Sequence, residues 1–326
     1  MKHRGHTQGQ RWIMGLMGVA LGLMLVIVFP HLRGISGAFA LMGLFHVLGA
    51  VVVVRSGATI IPPGLLKLVG VGNGQSVPAQ PGRIDFGWTG GMNASWIFVL
   101  AFGGTALGLQ LAYPRLWPAW FAVALLAVNF LIGSIYMNSF KRAECAVLPM
   151  VNLLQSRADH VLDVGCGSGR TMVALGRILK EGTITGLDRF DASYIRGGGL
   201  ELLENNVRLA GLSSRVNTVR GDITHMPFAD ATFDSAASTH AMDHLGGGTE
   251  AGLAEVARVL KPGGRFLMVV SVADWTMFGL AALFSFFATT EAEWKSMVQQ
   301  AGFRIVDEGR FNRAWYLLLE KPAHAD

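Results

Sequence analysis

The sequence predicts two joined architectures: an all-α region of four transmembrane helices over residues 1–140, then an α/β domain over residues 141–326. Three observations carry this division. Charge is nearly missing from the first region, apolar runs of membrane length recur there, and strand-like and helix-like patterns alternate in the second. Of 326 residues, 51% are hydrophobic and 15% charged, against about 25% charged in an average soluble domain. Residues 12–140 carry only Arg33, Arg55, Lys67, Arg83, Asp85 and Arg115 as charges. The net charge of +5 therefore belongs to the first region, because residues 141–326 hold 19 basic and 21 acidic side chains. Basic charge scattered between apolar runs makes no phosphate-tracking patch, so no nucleic-acid partner is expected. Cys145 and Cys166 are the only cysteines, too few for a disulfide framework.

The predicted spans are 12–29, 35–54, 94–113 and 116–137. Each approaches the roughly 20 residues that cross about 30 Å of hydrocarbon, and none shows the polar stripe of a soluble core helix. Trp12, Trp96, Trp117 and Trp120 stand near span ends, where indole rings favour the headgroup region. Lys2, Arg4 and Arg11 precede the first span, Arg55, Lys67 and Arg83 separate the second from the third, and Lys141 and Arg142 follow the fourth. The other two connections hold one basic residue each. By the positive-inside rule, this integral membrane chain has both its N- and C-termini in the cytoplasm. His46 is the one ionisable side chain well inside a span. The Gly- and Pro-rich connection 56–93 exceeds ordinary loops, and it is either unstructured or functional, covering the mouth of a site.

From about Cys145 short apolar runs alternate with helical patterns, which predicts a parallel sheet flanked by helices. The first strand, His160–Val164, runs into Gly165-Cys-Gly-Ser-Gly169 and a helix from Thr171. Glycines in such a strand–turn–helix let a ligand approach the backbone. A dinucleotide fingerprint would need glycine at 170, where Arg170 stands; what is present is GxGxG with Asp163 two residues upstream. The second strand, Gly182–Leu187, ends in Asp188, a carboxylate placed to accept both hydroxyls of a ribose. Later strands are expected at Val216–Val219, Phe233–Ser238, Phe266–Ser271, Phe303–Glu308 and Ala314–Glu320.

Taken in order, VLDVGCGSGR, GLD, GDITHMPFADATFD and EVARVLKPGGRF resemble the class I S-adenosylmethionine-dependent methyltransferases, in particular the ubiquinone/menaquinone-biosynthesis type. The likeness covers roughly residues 145–320 and leaves the four predicted spans outside. It implies a Rossmann-like seven-stranded sheet and S-adenosyl-L-methionine as cosubstrate. It also implies that Gly165, Gly167 and Gly169 line the methionine end of the donor, with Asp163 anchoring its amino group. Asp188 would hold the ribose hydroxyls, Asp222 would accept the adenine amino hydrogen, and Ile223 would pack on the ring. Cys166 would be a small buried filler rather than a nucleophile.

Methyl transfer from an activated sulfonium asks the protein mainly for alignment and exclusion of water. A base is needed when the acceptor keeps its proton at neutral pH, as an alcohol or phenol does. His240, in Ser238-Thr-His-Ala-Met-Asp-His244, is the first candidate. Asp243 is expected to face solvent and His244 to lie on the buried face of a following helix. Neither a nucleobase-amine motif after the fourth strand nor a carboxylate set for a divalent metal is found, so no metal is expected. The uncharged stretch Trp275–Thr290, bounded by Asp274 and Glu291, reads as an apolar lid or interfacial helix, with an ordinary core helix as the alternative. Together these point to a lipophilic acceptor reaching the site from the lipid bilayer, with a second copy of the chain a candidate partner. The alternatives are a soluble acceptor on a domain merely anchored to the membrane, and a non-catalytic donor-binding module.

Overall fold

A computed structural model of the chain describes residues 83–87, 95–281, 285–286 and 288–323. The predicted spans 12–29 and 35–54, His46 and most of the connection 56–93 lie outside the described residues. The other two spans are helices α1 (Ser95–Ala112) and α2 (Trp117–Ser139), joined by the turn at Tyr113–Leu116. Both are long and apolar enough to cross a membrane. Pro118 near the start of α2 suits a first turn whose N–H groups have no partner within the helix.

The body that follows is a seven-stranded sheet in the order β3-β2-β1-β4-β5-β7-β6. Its strands are β1 (His160–Val164), β2 (Thr183–Asp188), β3 (Val216–Arg220), β4 (Phe233–Thr239), β5 (Leu260–Val270), β6 (Arg304–Phe311) and β7 (Ala314–Glu320). Pairing is parallel from β3 through β5, and β7 runs antiparallel to both β5 and β6. Helices α3 (Arg170–Ile178), α4 (Leu200–Leu209), α5 (Thr249–Val259), α6 (Trp275–Ala281) and α7 (Glu291–Gln300) connect them.

The two-residue period of a strand divides the core. Val161 joins Met172 and Leu175 of α3 and Leu203 of α4 on one face. Leu162 and Val164 join Leu253 and Val256 of α5 and Trp294 of α7 on the other. All five strand and α3 residues named here are fully buried, as a parallel strand covered on both faces requires. The same alternation puts Asp163 on the α3 face. Because β1 is flanked by β2 on one side and β4 on the other, the sheet order reverses there, and the carboxyl ends of these strands open a crevice.

Helix α2 joins the two architectures. Trp117, Phe121, Leu125 and Val128 are each about half exposed in its first part, while Phe130 and the run Gly133–Tyr136 are buried. Its partner there is α6, the first part of the uncharged 275–290 stretch. A methyl group on Gly133 would lie 2.5 Å from the Gly279 carbonyl oxygen, and one on Gly279 would lie 2.7 Å from that of Asn129. Two glycines thus permit backbone-to-backbone contact, the small-residue packing common between membrane helices. With its amide turned to satisfy both groups, Asn129 donates to Trp275 O and accepts from Gly279 N, each at 3.2 Å. The 275–290 stretch is therefore docked on the helical hairpin at its start, rather than lying free over the sheet.

Candidate active site

The donor half of the crevice is built locally from the first two strands. Gly165, Gly167 and Gly169 all have positive φ, 73°, 49° and 83°, where a side chain would be strained. At Gly165 a methyl group would also lie 2.2 Å from the Ala241 Cβ, so the turn is pressed against the segment after β4. Gly169 is the N-cap of α3 and makes no side-chain capping bond. Cys166 is buried, and burial and then the Asp163 charge push its thiol well above the ordinary range. A thiol held protonated is a filler and not a nucleophile.

Asp163 is fully buried, and neither of its oxygens has a hydrogen-bond partner among the described residues. The Met172 amide favours its charge from nearby without completing a hydrogen bond, while burial and the Asp188 charge raise its pKa well above the usual carboxylate range. A buried carboxylate lacking partners is costly unless a cation meets it. The ammonium of a bound amino acid group is such a cation, so this residue fits the donor it is expected to hold.

Asp188, at the end of β2, accepts from Gly167 N at 2.9 Å and from Phe190 N at 2.7 Å. It therefore holds the glycine turn in place, and each carboxylate oxygen keeps further acceptor capacity for a hydroxyl. Asp222 Oδ1 accepts from the Thr224 amide and hydroxyl, both at 2.8 Å. Those two bonds outweigh its slight burial and, with Arg189 3.8 Å away, lower its pKa. Ile223 is buried, with its Cδ1 3.4 Å from a methyl placed on Gly165. Asp163, Gly165, Gly167, Gly169, Asp188, Asp222 and Ile223 thus all lie at or just after the carboxyl ends of β1, β2 and β3.

The acceptor half is assembled from distant segments. His240 follows β4 with φ 59°, a left-handed conformation held by its amide bond to Val269 O at 2.9 Å. Its Nδ1 faces Asp243 Oδ2 at 3.6 Å and Ser271 Oγ at 3.4 Å. Its Nε2 lies 3.2 Å from the Tyr136 hydroxyl of α2. Asp243 does not face solvent as expected. It stands in a 3₁₀ turn, Met242–His244, with only 13% of its side chain exposed, and Oδ2 accepts from Ser271 N at 3.0 Å. Burial opposes its charge, yet His240, His244 and the Ser271 amide together hold its pKa down at about 2. His244 is also displaced from expectation: it is exposed and stacks on Tyr194. Both corrections have one cause. The chain leaves β4 through a left-handed residue and a 3₁₀ turn instead of entering a helix, which leaves Asp243 largely covered and His244 exposed.

A cavity of about 20 Å³ lies beside His240, lined by Tyr136, Ser139, Phe140, Arg170 and Thr239 among others. The Arg170 guanidinium packs 4.7 Å over the Phe140 ring and donates to Cys145 O, while its Nε has no partner among the described residues.

Sequence reasoning missed Tyr136, Arg170 and a strap made by residues 83–87. The strap docks on the glycine turn: Ser168 Oγ donates to Phe86 O at 2.9 Å, and Asn206 both accepts from Asp85 N and donates to Asp85 O. Phe86 is fully buried beside Val173 of α3. The sole acid of the first region, Asp85, is the sequence signal that could have found the strap, and it pairs with Arg196 at 2.6 Å.

Known proteins agree with this geometry. The family described as a methyltransferase domain matches residues 162–268, from β1 into β5, and leaves α1 and α2 outside. A demethylmenaquinone methyltransferase of Lactiplantibacillus plantarum is 32% identical, over 47% of this chain and 73% of that protein. One from Symbiobacterium thermophilum is 30% identical over 47% of this chain and 55% of its own length. A fatty-acid O-methyltransferase of Mycolicibacterium smegmatis is 37% identical over 33% of this chain and 35% of its own. The chain belongs to the S-adenosylmethionine-dependent methyltransferases, with S-adenosylmethionine as its cosubstrate. It spans about half the length, or less, of the last two relatives.

Proposed function

We propose that this chain is an integral membrane methyltransferase that methylates a lipophilic small molecule or lipid at the cytoplasmic face, with His240 as general base. The observation that carries the reading is the continuity of α2. Its first part presents Trp117, Phe121, Leu125 and Val128 outward, an apolar surface that suits lipid better than water. Its last turns are buried beside His240. An acceptor dissolved in the bilayer would travel along one helix to reach the donor. Relatives named for demethylmenaquinone and for a fatty acid accord with a lipophilic acceptor.

The donor supplies a methyl group on a positively charged sulfur. Asp163 would face its ammonium, the glycine turn would line its methionine part, and Asp188 would accept its ribose hydroxyls. Asp222 and Ile223 would take the adenine edge and face. His240 would receive the acceptor's proton and Asp243 would stabilise the imidazolium, the division of labour of a base and its orienting carboxylate.

The test uses the full chain in phospholipid vesicles with two hydroquinone acceptors that differ only in tail length. The long-tailed acceptor is expected to show at least a tenfold higher kcat/KM. Equal efficiency for the short, water-soluble one would overturn the lipid route and leave a methyltransferase that is merely anchored.

A further inference from the structure

We infer that Tyr136, not His240 directly, meets the acceptor, and that Tyr136, His240 and Asp243 form a proton relay that selects an acceptor carrying a dissociable O–H, such as a phenol or enol. The inference rests on the reading of the site as a methyltransferase and names its acceptor class.

An imidazole has two nitrogens, and here both are engaged. Nδ1 faces Asp243 and Ser271, so the carboxylate favours the tautomer with its proton there, and Nε2 presents its lone pair to the Tyr136 hydroxyl at 3.2 Å. The ring itself packs edge-on against Phe140, centroids 5.1 Å apart. An acceptor could touch Nε2 only by displacing the phenol. Tyr136 cannot step aside easily: it is 3% exposed, it stacks edge-on with Phe140 one turn later, and Asn138 and Ser139 after it are buried. Tyr136 and His240 both line the cavity shared with Arg170 and Thr239, and the one lone pair of Nε2 is already taken by the phenol.

A phenol oxygen donates one hydrogen and accepts two, so it can pass its own proton to Nε2 while taking one from an acceptor hydroxyl. The acceptor oxygen forms the new C–O bond as the C–S bond breaks and its electron pair stays on sulfur. The single proton released ends on His240, as an imidazolium beside the Asp243 carboxylate. The Arg170 guanidinium, lining the same cavity, lowers the cost of negative charge on either oxygen during the exchange. The charged and titratable groups around the relay are Asp243 and His244 on its own turn, Arg170 from α3 and Asp274 ahead of α6. None of them can replace a phenol at the cavity wall. A thioether acceptor has no proton to lose, and a neutral amine attacks through a free lone pair before it sheds one.

The test pairs Tyr136→Phe in the full chain with two readouts. The first is turnover of a long-tailed phenol, where kcat is expected to fall about a hundredfold, the scale of lost acid–base assistance, with KM and donor affinity held. The second needs no donor: ¹⁵N NMR of the His240 ring, whose Nε2 resonance should shift once the phenol is gone. Fluorotyrosine incorporation covers the case in which the Phe variant fails to fold, and should move a limb of the pH–rate profile to lower pH. Turnover within threefold of the parent, or an unmoved Nε2 resonance, overturns the relay. Transfer to amines but not to hydroxyl acceptors overturns it while the methyltransferase reading stands, and donor binding with no transfer to any acceptor overturns both.

Discussion

The two halves of the crevice differ in how far apart in the chain their parts lie. The donor half comes mostly from the span between β1 and the turn after β3, where Asp188 reaches the glycine turn across 21 positions, with the strap at 83–87 and Ala241 as its distant supports. The acceptor half joins Tyr136 to His240 across 104 positions, and its supporting helix lies outside the residues matched by the family. A half built from consecutive turns can be inherited as a unit. One built by docking a helical hairpin can change its acceptor by changing the hairpin, without touching the donor. The comparison predicts that damage to either half stays in that half.

Gly165→Val should produce the largest effect. It places a branched side chain at φ 73° and a Cβ 2.2 Å from that of Ala241, so the turn must move. Donor affinity by calorimetry is expected to fall by about a hundredfold or more, about 3 kcal/mol. Binding within threefold of the parent would show that the turn does not shape the donor site.

Gly133→Leu is the counterpart in the acceptor half. The new side chain meets the Gly279 backbone, where a methyl group alone would lie at 2.5 Å, and overpacking of this kind costs roughly 1–3 kcal/mol. Helix α6 is displaced from α2, so kcat/KM for the lipophilic acceptor is expected to fall about tenfold or more, by the same energy scale. Donor affinity should be unchanged. A matching loss of donor affinity would show that the halves are not separable.

How much of this was legible follows the same divide. The strands, the glycine turn and the aspartates at the strand ends could be read because motif and position coincide: an apolar run, a turn, then an acid. Helices α1 and α2 were legible to within two residues, since a long uniformly apolar run free of breakers reads as one continuous helix. Tyr136 was hidden because nothing near it in sequence distinguishes it from the other residues of an apolar helix. Asp243 is largely covered against expectation because the chain makes a 3₁₀ turn where a helix is expected, and a left-handed His240 is not signalled by residue type. The strap at 83–87 was hidden for the opposite reason: a Gly- and Pro-rich connection carries too little periodicity to show that Phe86 is a core residue.

Asp163→Asn is the smallest change and sharpens the comparison most, because its effect depends on pH. Burial and then the Asp188 charge raise the pKa of Asp163 above 3.8. Without donor, the folded chain therefore holds this proton more tightly than the unfolded chain. That contribution to stability is fully present below 3.8 and is lost as pH rises through the raised value, above which an ionised carboxylate is buried with no partner. Asparagine removes the loss, so the donor-free variant should be at least as stable as the parent at neutral pH. Donor binding has the opposite sign, since an ammonium favours the ionised form: parent affinity should increase with pH through the raised value, with a proton released on binding below it. The variant keeps the shape but not the charge. Hydrogen bonds to charged groups are worth about 1.5–3 kcal/mol, part of which is returned by relieving the donor-free state, so a loss of about tenfold is expected. Calorimetry in two buffers of different ionisation enthalpy measures the proton directly. Equal release from parent and variant would mean that the ammonium is held elsewhere, and that the orphaned carboxylate beneath the glycine turn serves the fold alone.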